Sequence, residues 1–593
     1  MDSTMKRTAP RPRAAPRRRT LPILALAALL AAGAVAAGCG SSSTTNGGKV
    51  TVLDVAGGVD SLDPGYWYYQ TDYTELGQTT QRWLYGWPAS AHAPAPDIAT
   101  ALPELSNGGR TLTIHIKPGI HYSAPLQSRE VTSADIKYSM ERCFLASVAN
   151  GYAEVYYGKI VGAPAAPTAT LTNIPGIETP NPHTLIIKTS VPVGVLTTAD
   201  ALGLPCTIPV PQSYAEKFDT GAHSTYGEHQ VFTGPYMIKG AGSGTVPTSS
   251  YQPGKLLVLV RNPSWKHETD PIRAAHFNEI EFKGGNDITV ASHQILSGTS
   301  MMSGDFAAPP PAVLQEGLAN NHAQFYIEPS GGNRYISLNT TIPPLNNIDV
   351  RRAIAAVIDR NALRLTRGGS QIGSIATHFI PPTMPGFEAA GGAAGPGYDF
   401  YANPNGDVAL AETYMKKAGY ASGKYTGAPL FAVADNEPPA KDTAEAVQSQ
   451  LAKIGIRLNL HEVPHATMLS QFCLVPKAKV AICPTLGWGK DFFDSQSMID
   501  PVFNGKNIVP AGNTNTPQAN SPVLNRQMDE AEQLTQPEAR ANAWAKLDKE
   551  VTREAYVVTW LWDNEVGFTS KNVHGVKWPF NGGDWDLTAS SLR

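Results

Sequence analysis

Charge is scarce in this chain: Asp, Glu, Lys and Arg make up 16% of its 593 residues, against about 25% in an ordinary globular protein. No basic cluster follows Arg19, so the electrostatic footprint of a nucleic-acid binder is missing. Cysteine is scarce too, five in all with no Cys-x-x-Cys spacing, which leaves neither a dithiol redox motif nor a zinc ribbon. No apolar run beyond Ala37 approaches the ~20 residues that a membrane-crossing helix needs, which excludes a polytopic membrane protein. A Gly-x-Ser-x-Gly hydrolase elbow and a phosphate-cradling Gly-x-x-x-x-Gly-Lys-Ser/Thr loop are both absent. The 14 histidines are scattered, so no metal site and no cofactor are expected. His461-Glu462-Val463-Pro464-His465 matches the zinc-protease spacing. That chemistry needs both histidines on one helical face, and Pro464 would break such a helix.

What the chain does have begins with a leader. Seven basic residues (Lys6, Arg7, Arg11, Arg13, Arg17, Arg18, Arg19) precede an apolar run from Leu21 to Ala37, which ends in Ala36-Ala37-Gly38-Cys39. Basic head, apolar middle and small-residue end make residues 1–38 a secretory signal. The Cys after small residues resembles a bacterial lipobox, although Ala36 stands where that pattern usually has Leu. Cys39 is therefore the lipidation candidate, and 39–48 reads as a flexible Ser/Gly tether. Two or more acyl chains anchor stably, which puts the folded part at the extracytoplasmic face of the cell membrane. Without the leader the net charge moves from −3 to −9. Four cysteines remain in an oxidising compartment, and three pairings are open to them. Proximity favours Cys473 with Cys483, leaving Cys143 with Cys206.

The mature chain mixes two periodicities. Thr111 to Lys117 alternates, with Leu112, Ile114 and Ile116 on one face of a strand. A helix follows, capped by Thr132 or Ser133, with Asp135 near its positive end and Ile136, Met140, Cys143 and Phe144 inward. A second helix is expected to start on an Asp349 cap and to bury Val350, Ile354, Val357 and Ile358. A third carries Leu410, Tyr414, Met415 and Ala418 and stops at Gly419. A fourth, with Ala444, Val447, Leu451 and Ile454, ends at Gly455 and leads into a strand at Ile456, Leu458 and Leu460. Helix, glycine and strand in succession make the fold class α/β.

An ordered series of short motifs runs through this pattern: Ser61-Leu62-Asp63-Pro64, Leu84-Tyr85-Gly86, Pro103-Glu104-Leu105, the stretch from Arg110 to Tyr122 and that from Val131 to Arg142. Thr233-Gly-Pro-Tyr236, Arg261-Asn-Pro-Ser-Trp265, the stretch from Asp349 to Arg360, Lys417-Ala-Gly-Tyr420 and Gly487-Trp488-Gly489-Lys490-Asp491 complete it. The series resembles the family 5 extracellular solute-binding proteins, the oligopeptide, dipeptide and nickel receptors of ABC importers. That resemblance implies a two-lobed periplasmic-binding-protein clamshell, type II-like, with an extra inserted domain. It places lobe I at 49–86, 190–335 and 565–593, the inserted domain at 87–189 and lobe II at 336–564. It further implies a monomer that captures a peptide or peptide-like solute and passes it to the permease and ATPase subunits of an ABC transporter.

Within that resemblance Asp491 is the residue that takes a ligand amine, a role to weigh against capping a helix over 492–499, with Asp494 as a second candidate. Trp488 would wall the cleft. Tyr66, Trp67, Tyr68 and Tyr69 cannot all face one core, so the run is expected to reach the cleft. Some relatives place an Arg six residues before the Asp to meet a ligand carboxylate; here that position is Thr485. Either Arg334 supplies the clamp or the ligand lacks a free carboxylate, which keeps modified peptides, cationic small molecules and metal chelates open. Two alternative readings are a nickel or haem-chelate receptor of the same fold and a secreted lipoprotein hydrolase.

Overall fold

The structure, a computed structural model, describes residues 47–593 apart from 56–57, 69–70, 90, 92, 305–308, 511 and 578–584. The leader, Cys39 and Tyr69 lie outside the described residues.

Three main sheets organise these residues. The first has six strands in the order Met301–Ser303, Lys49–Leu53, Glu279–Lys283, Leu256–Arg261 and Tyr236–Ile238, with Tyr251–Gln252 also pairing on Leu256–Arg261. The second is a four-stranded antiparallel sheet built within one stretch of chain: Glu104–Ser106, Thr111–His115, Thr184–Lys188 and Ile177–Asn181. The third orders Gly373–Ile375, Val557–Phe568, Phe325–Leu338, Ile482–Gly489, Leu430–Asp435 and Leu458–Val463. Parallel and antiparallel pairs mix in the first and third sheets, which need helices or loops on both faces to stay dry.

The expected alternation is present at Thr111–His115, where Leu112 and Ile114 point inward with Ile116 beyond them. The next helix, Ser133–Arg142, starts from Thr132, whose backbone N–H donates to the Asp135 carboxylate at 3.0 Å. The helix Ile348–Val357 corrects one expectation. Its cap is Asn347, whose side chain accepts from the Asp349 N–H at 2.9 Å. Asp349 sits one position inside the helix, where its charge still meets the positive end of the dipole. The helices Val408–Lys417 and Ala440–Ala452 bury most of the anticipated stripes, with Leu410 and Ala418 only partly buried. Gly455, at φ +79°, lets the second of them turn into its strand; a Cβ there would lie 2.4 Å from the Tyr425 carbonyl oxygen.

Both disulfides, Cys143–Cys206 and Cys473–Cys483, are formed. Buried charge joins two of the sequence motifs. Arg142 donates to Asp63 at 2.8 Å through Nη1 and to Asp219 at 2.6 Å through Nη2. Burial alone would raise the Asp63 pKa, but the guanidinium and its hydrogen bonds hold it below the ordinary carboxylate value. The Leu-Asp-Pro turn is thereby tied to the end of the Ser133–Arg142 helix.

Candidate functional site

The strand Ile482–Gly489 pairs antiparallel with Phe325–Leu338, setting Gly487 beside Arg334 and Trp488 beside Asn333. The chain then leaves the sheet at Lys490 and Asp491. Against the end of this strand lies a cavity of about 360 Å³, lined among others by Tyr68, Tyr152, Asn333, Arg334, Thr485, Trp488, Lys490, Asp491, Asp563 and Glu565. Gly331 makes room for the Lys490 stem: its φ is +72°, and a Cβ there would lie 2.7 Å from Lys490 Cδ. Lys490 Nζ donates to the Ser330 carbonyl.

Asp491 receives a hydrogen bond on Oδ2 from the Tyr156 hydroxyl. The Tyr156 ring meets Phe492 edge-on at 4.9 Å and stacks on Tyr152 at 6.1 Å, and Tyr152 lies 4.9 Å from Tyr68. A column of aromatic rings thus runs from the cavity wall to the residue after Asp491. Burial pushes the Asp491 pKa up to about 7, with the Tyr156 bond pulling the other way.

A second set of charges lines the same cavity. Arg334 Nε donates to Asp563 Oδ2 at 2.6 Å. Burial and the Asp563 charge raise Glu565 to about 7, while burial lowers Lys490 to about 8 against the pull of Glu565. Asn333 donates from Nδ2 to the Phe379 carbonyl at 2.6 Å, and its buried Oδ1 has no hydrogen-bond partner among the described residues. Such an acceptor costs about 1–3 kcal/mol while unmet, so it favours a donor arriving in the cavity. Trp488 Nε1 donates to the Ser497 carbonyl at 2.7 Å, holding the indole in the wall.

A cavity of this size, with apolar rings on one wall and several charges converging on it, is built to bury a small solute. The family model for bacterial extracellular solute-binding proteins, family 5 (middle region), matches residues 93–509. The chain belongs to this family. Among curated relatives, it is 23% identical over 489 residues to the oligopeptide-binding protein OppA of Bacillus subtilis, spanning 81% of this chain and 82% of that one. Among solved structures, it superposes on clavulanic acid biosynthesis oligopeptide binding protein 2 with a TM-score of 0.80 and 26% identity, over 93% of this chain and 96% of that one. The Helicobacter pylori periplasmic binding protein DppA, in complex with the peptide STSA, matches with a TM-score of 0.73 and 17% identity, over 92% of this chain and 98% of that one. The fold is the family 5 clamshell.

Several residues expected in the cleft of this family 5 protein lie elsewhere. Trp67 is fully buried in the core around Leu76 and Trp83, its Nε1 donating to the Ser61 carbonyl at 2.8 Å. Tyr66 does not line the cavity; of the aromatic run, Tyr68 does. Asp494 is engaged by Arg540 through Nε at 2.7 Å and Nη2 at 3.0 Å, and it is not in the cavity lining. Nor does Asp491 cap a helix. The helix here is Gln496–Phe503, and Asp494 Oδ1 accepts from the Gln496 N–H at 2.8 Å, leaving Asp491 outside the turn. His461 lies in the strand Leu458–Val463 and His465 after Pro464, so the zinc-protease spacing spans two elements. No group of three or more potential metal ligands occurs among the described residues.

Tyr152, Tyr156, Asp563 and Glu565 escaped sequence reasoning. Tyr156 and Asp491 are 335 positions apart, and no periodicity links them. Asp563 and Glu565 sit on a strand whose neighbours, Leu561 and Val566, are buried. Charged residues at the end of so apolar a run were the available signal.

Proposed function

We propose that this protein is an extracytoplasmic receptor that captures a peptide or peptide-like solute between two lobes and delivers it to the permease and ATPase subunits of an ABC importer. In this reading the first sheet belongs to lobe I (49–86, 190–335 and 565–593), the four-stranded sheet to the inserted domain (87–189) and most of the third sheet to lobe II (336–564). Two long strands, Phe325–Leu338 and Val557–Phe568, cross both proposed boundaries. Their pairing breaks register between Pro329 and Asn333, beside the cavity, where a hinge would let the lobes close. Cys39 would carry the lipid anchor, and the receptor would act as a monomer that makes and breaks no bonds in its solute.

The observation that carries the reading is the Asp491 carboxylate, held in a 360 Å³ cavity by Tyr156 with no cation paired to it among the described residues. A buried carboxylate in that state favours a ligand amine. The test is mass spectrometry of whatever the purified protein releases on denaturation, followed by titration calorimetry of the released species against wild type and Asp491→Ala. Peptide masses, with affinity lost in the variant, support the reading; a sugar or a metal chelate overturns the peptide assignment. Cys39→Ser tests the anchor and should move the protein from the membrane fraction to the medium.

A further inference from the structure

Among the described residues, three carboxylates and two Lys or Arg cations line the cavity, and both cations are already engaged. Arg334 is bonded to Asp563 at 2.6 Å. Lys490 donates to the Ser330 carbonyl and faces Glu565. Arg367, the other guanidinium near Arg334, does not line the cavity. His465, at the cavity wall, is 3.1 Å from Asp435. Thr485 adds only a hydroxyl. A ligand carboxylate would therefore have to displace Asp563 or Glu565 from a cation, or be buried without one, which costs several kcal/mol. The other charge sign is well served. Asp491 has no cationic partner among the described residues, and Tyr68, Tyr152 and Trp488 bring three aromatic rings to the same cavity. Aromatic faces attract guanidinium and alkylammonium groups.

Resting on the receptor reading above, we infer that the solute is an organic cation without a free carboxylate: a basic peptide blocked at its C-terminus, or a smaller guanidino or amino compound. Arg334 then acts as the internal partner of Asp563 and not as a carboxylate clamp.

Calorimetry on the purified mature protein would compare the tripeptide Arg-Ala-Ala as free acid, the same peptide as C-terminal amide, the amide of N-acetyl-Ala-Ala-Ala, which carries no charge, and agmatine. The arginine amide is expected to bind at least ~10-fold more tightly than the acid, a difference of about 1.4 kcal/mol. The neutral amide should bind more weakly than the arginine amide by a similar factor. An acid that binds as tightly as its amide, or a neutral amide that matches the arginine one, overturns the inference and leaves the receptor reading standing. Agmatine binding with neither tripeptide bound supports the inference and overturns the peptide assignment. Asp563→Asn releases Arg334 and should bring the acid-to-amide ratio close to one. An unchanged ratio in that variant would show that Arg334 is not held from ligand by Asp563.

Discussion

The Tyr156 hydroxyl donates a hydrogen bond to the Asp491 carboxylate across 335 positions of sequence. This bond ties the segment preceding the four-stranded sheet's last two strands to the loop that leaves the strand Ile482–Gly489. It also keeps a carboxylate in the cavity wall at a cost to the ligand-free protein, because burial favours the protonated form.

That cost is measurable. The Asp491 pKa is about 7 in the folded protein against 3.8 unfolded. The folded state binds the proton more tightly, so the stability from this group is complete below pH 3.8 and is lost as pH rises through about 7. Asp491→Asn, which can still accept from Tyr156, should stabilise the ligand-free protein by about 1–3 kcal/mol above that range. The gain should vanish in acid. Thermal melts of both proteins at several pH values check this, and the same variant should lose binding of amine-bearing ligands.

Ligand affinity should follow the opposite course. A cation needs Asp491 ionised, so affinity for a basic ligand should rise as pH rises through about 7. Glu565, also raised to about 7, adds to the effect. Lys490 loses its charge above about 8, so the clean window ends there. Calorimetry at three pH values below that limit is the measurement, and a flat profile would remove Asp491 from contact with the cation.

The two disulfides should separate by function. Cys473–Cys483 joins the short helical segment Met468–Cys473, which brings Leu469 to the cavity, to the strand that carries Thr485 and Trp488. Its sequence separation is 10, against 63 for Cys143–Cys206. Loop-closure entropy then assigns them about 3 and about 4 kcal/mol. Replacing Cys473 and Cys483 by Ala should lower both stability and ligand affinity, the latter about 3–10-fold as the cavity wall loosens. Replacing Cys143 and Cys206 should lower stability alone. Urea denaturation and calorimetry on the two double variants distinguish the cases.

Arg540→Met should destabilise the fold by about 3–5 kcal/mol, because it strips the partner from Asp494. It also deprives the Ala531, Glu532 and Leu534 carbonyls of a donor. Adding Asp494→Asn should recover part of the loss, which a double-mutant cycle by chemical denaturation measures.

Legibility followed the range of the interactions involved. The Thr132 cap with Asp135, the buried faces of Leu112 and Ile114 and the glycine after Ile454 are decided within a few residues, and all stand where their local pattern puts them. One short-range expectation shifted by two positions: Asn347 caps in place of Asp349, because both side chains suit the helix start. Trp67 and Asp494 were misplaced for a different reason. An aromatic or a carboxylate near a cleft motif looks the same in sequence whether it faces the cleft or a buried partner. Trp67 found the Ser61 carbonyl and Asp494 found Arg540, 46 positions on.

By itself the sequence determined the α/β class and the family through its ordered motifs. It favoured the cysteine pairing that formed without deciding it, and it offered Asp491, Trp488, Tyr68 and Arg334 as candidates that the structure brings to one cavity. The class and the family rest on local periodicity and on short motifs in order. Only the tertiary structure decided that Tyr156 holds Asp491, that Asp563 occupies Arg334, and that Lys490 faces Glu565. Those pairings decide the charge a ligand meets, and they join segments that only the packing of distant strands and loops brings within a few ångströms.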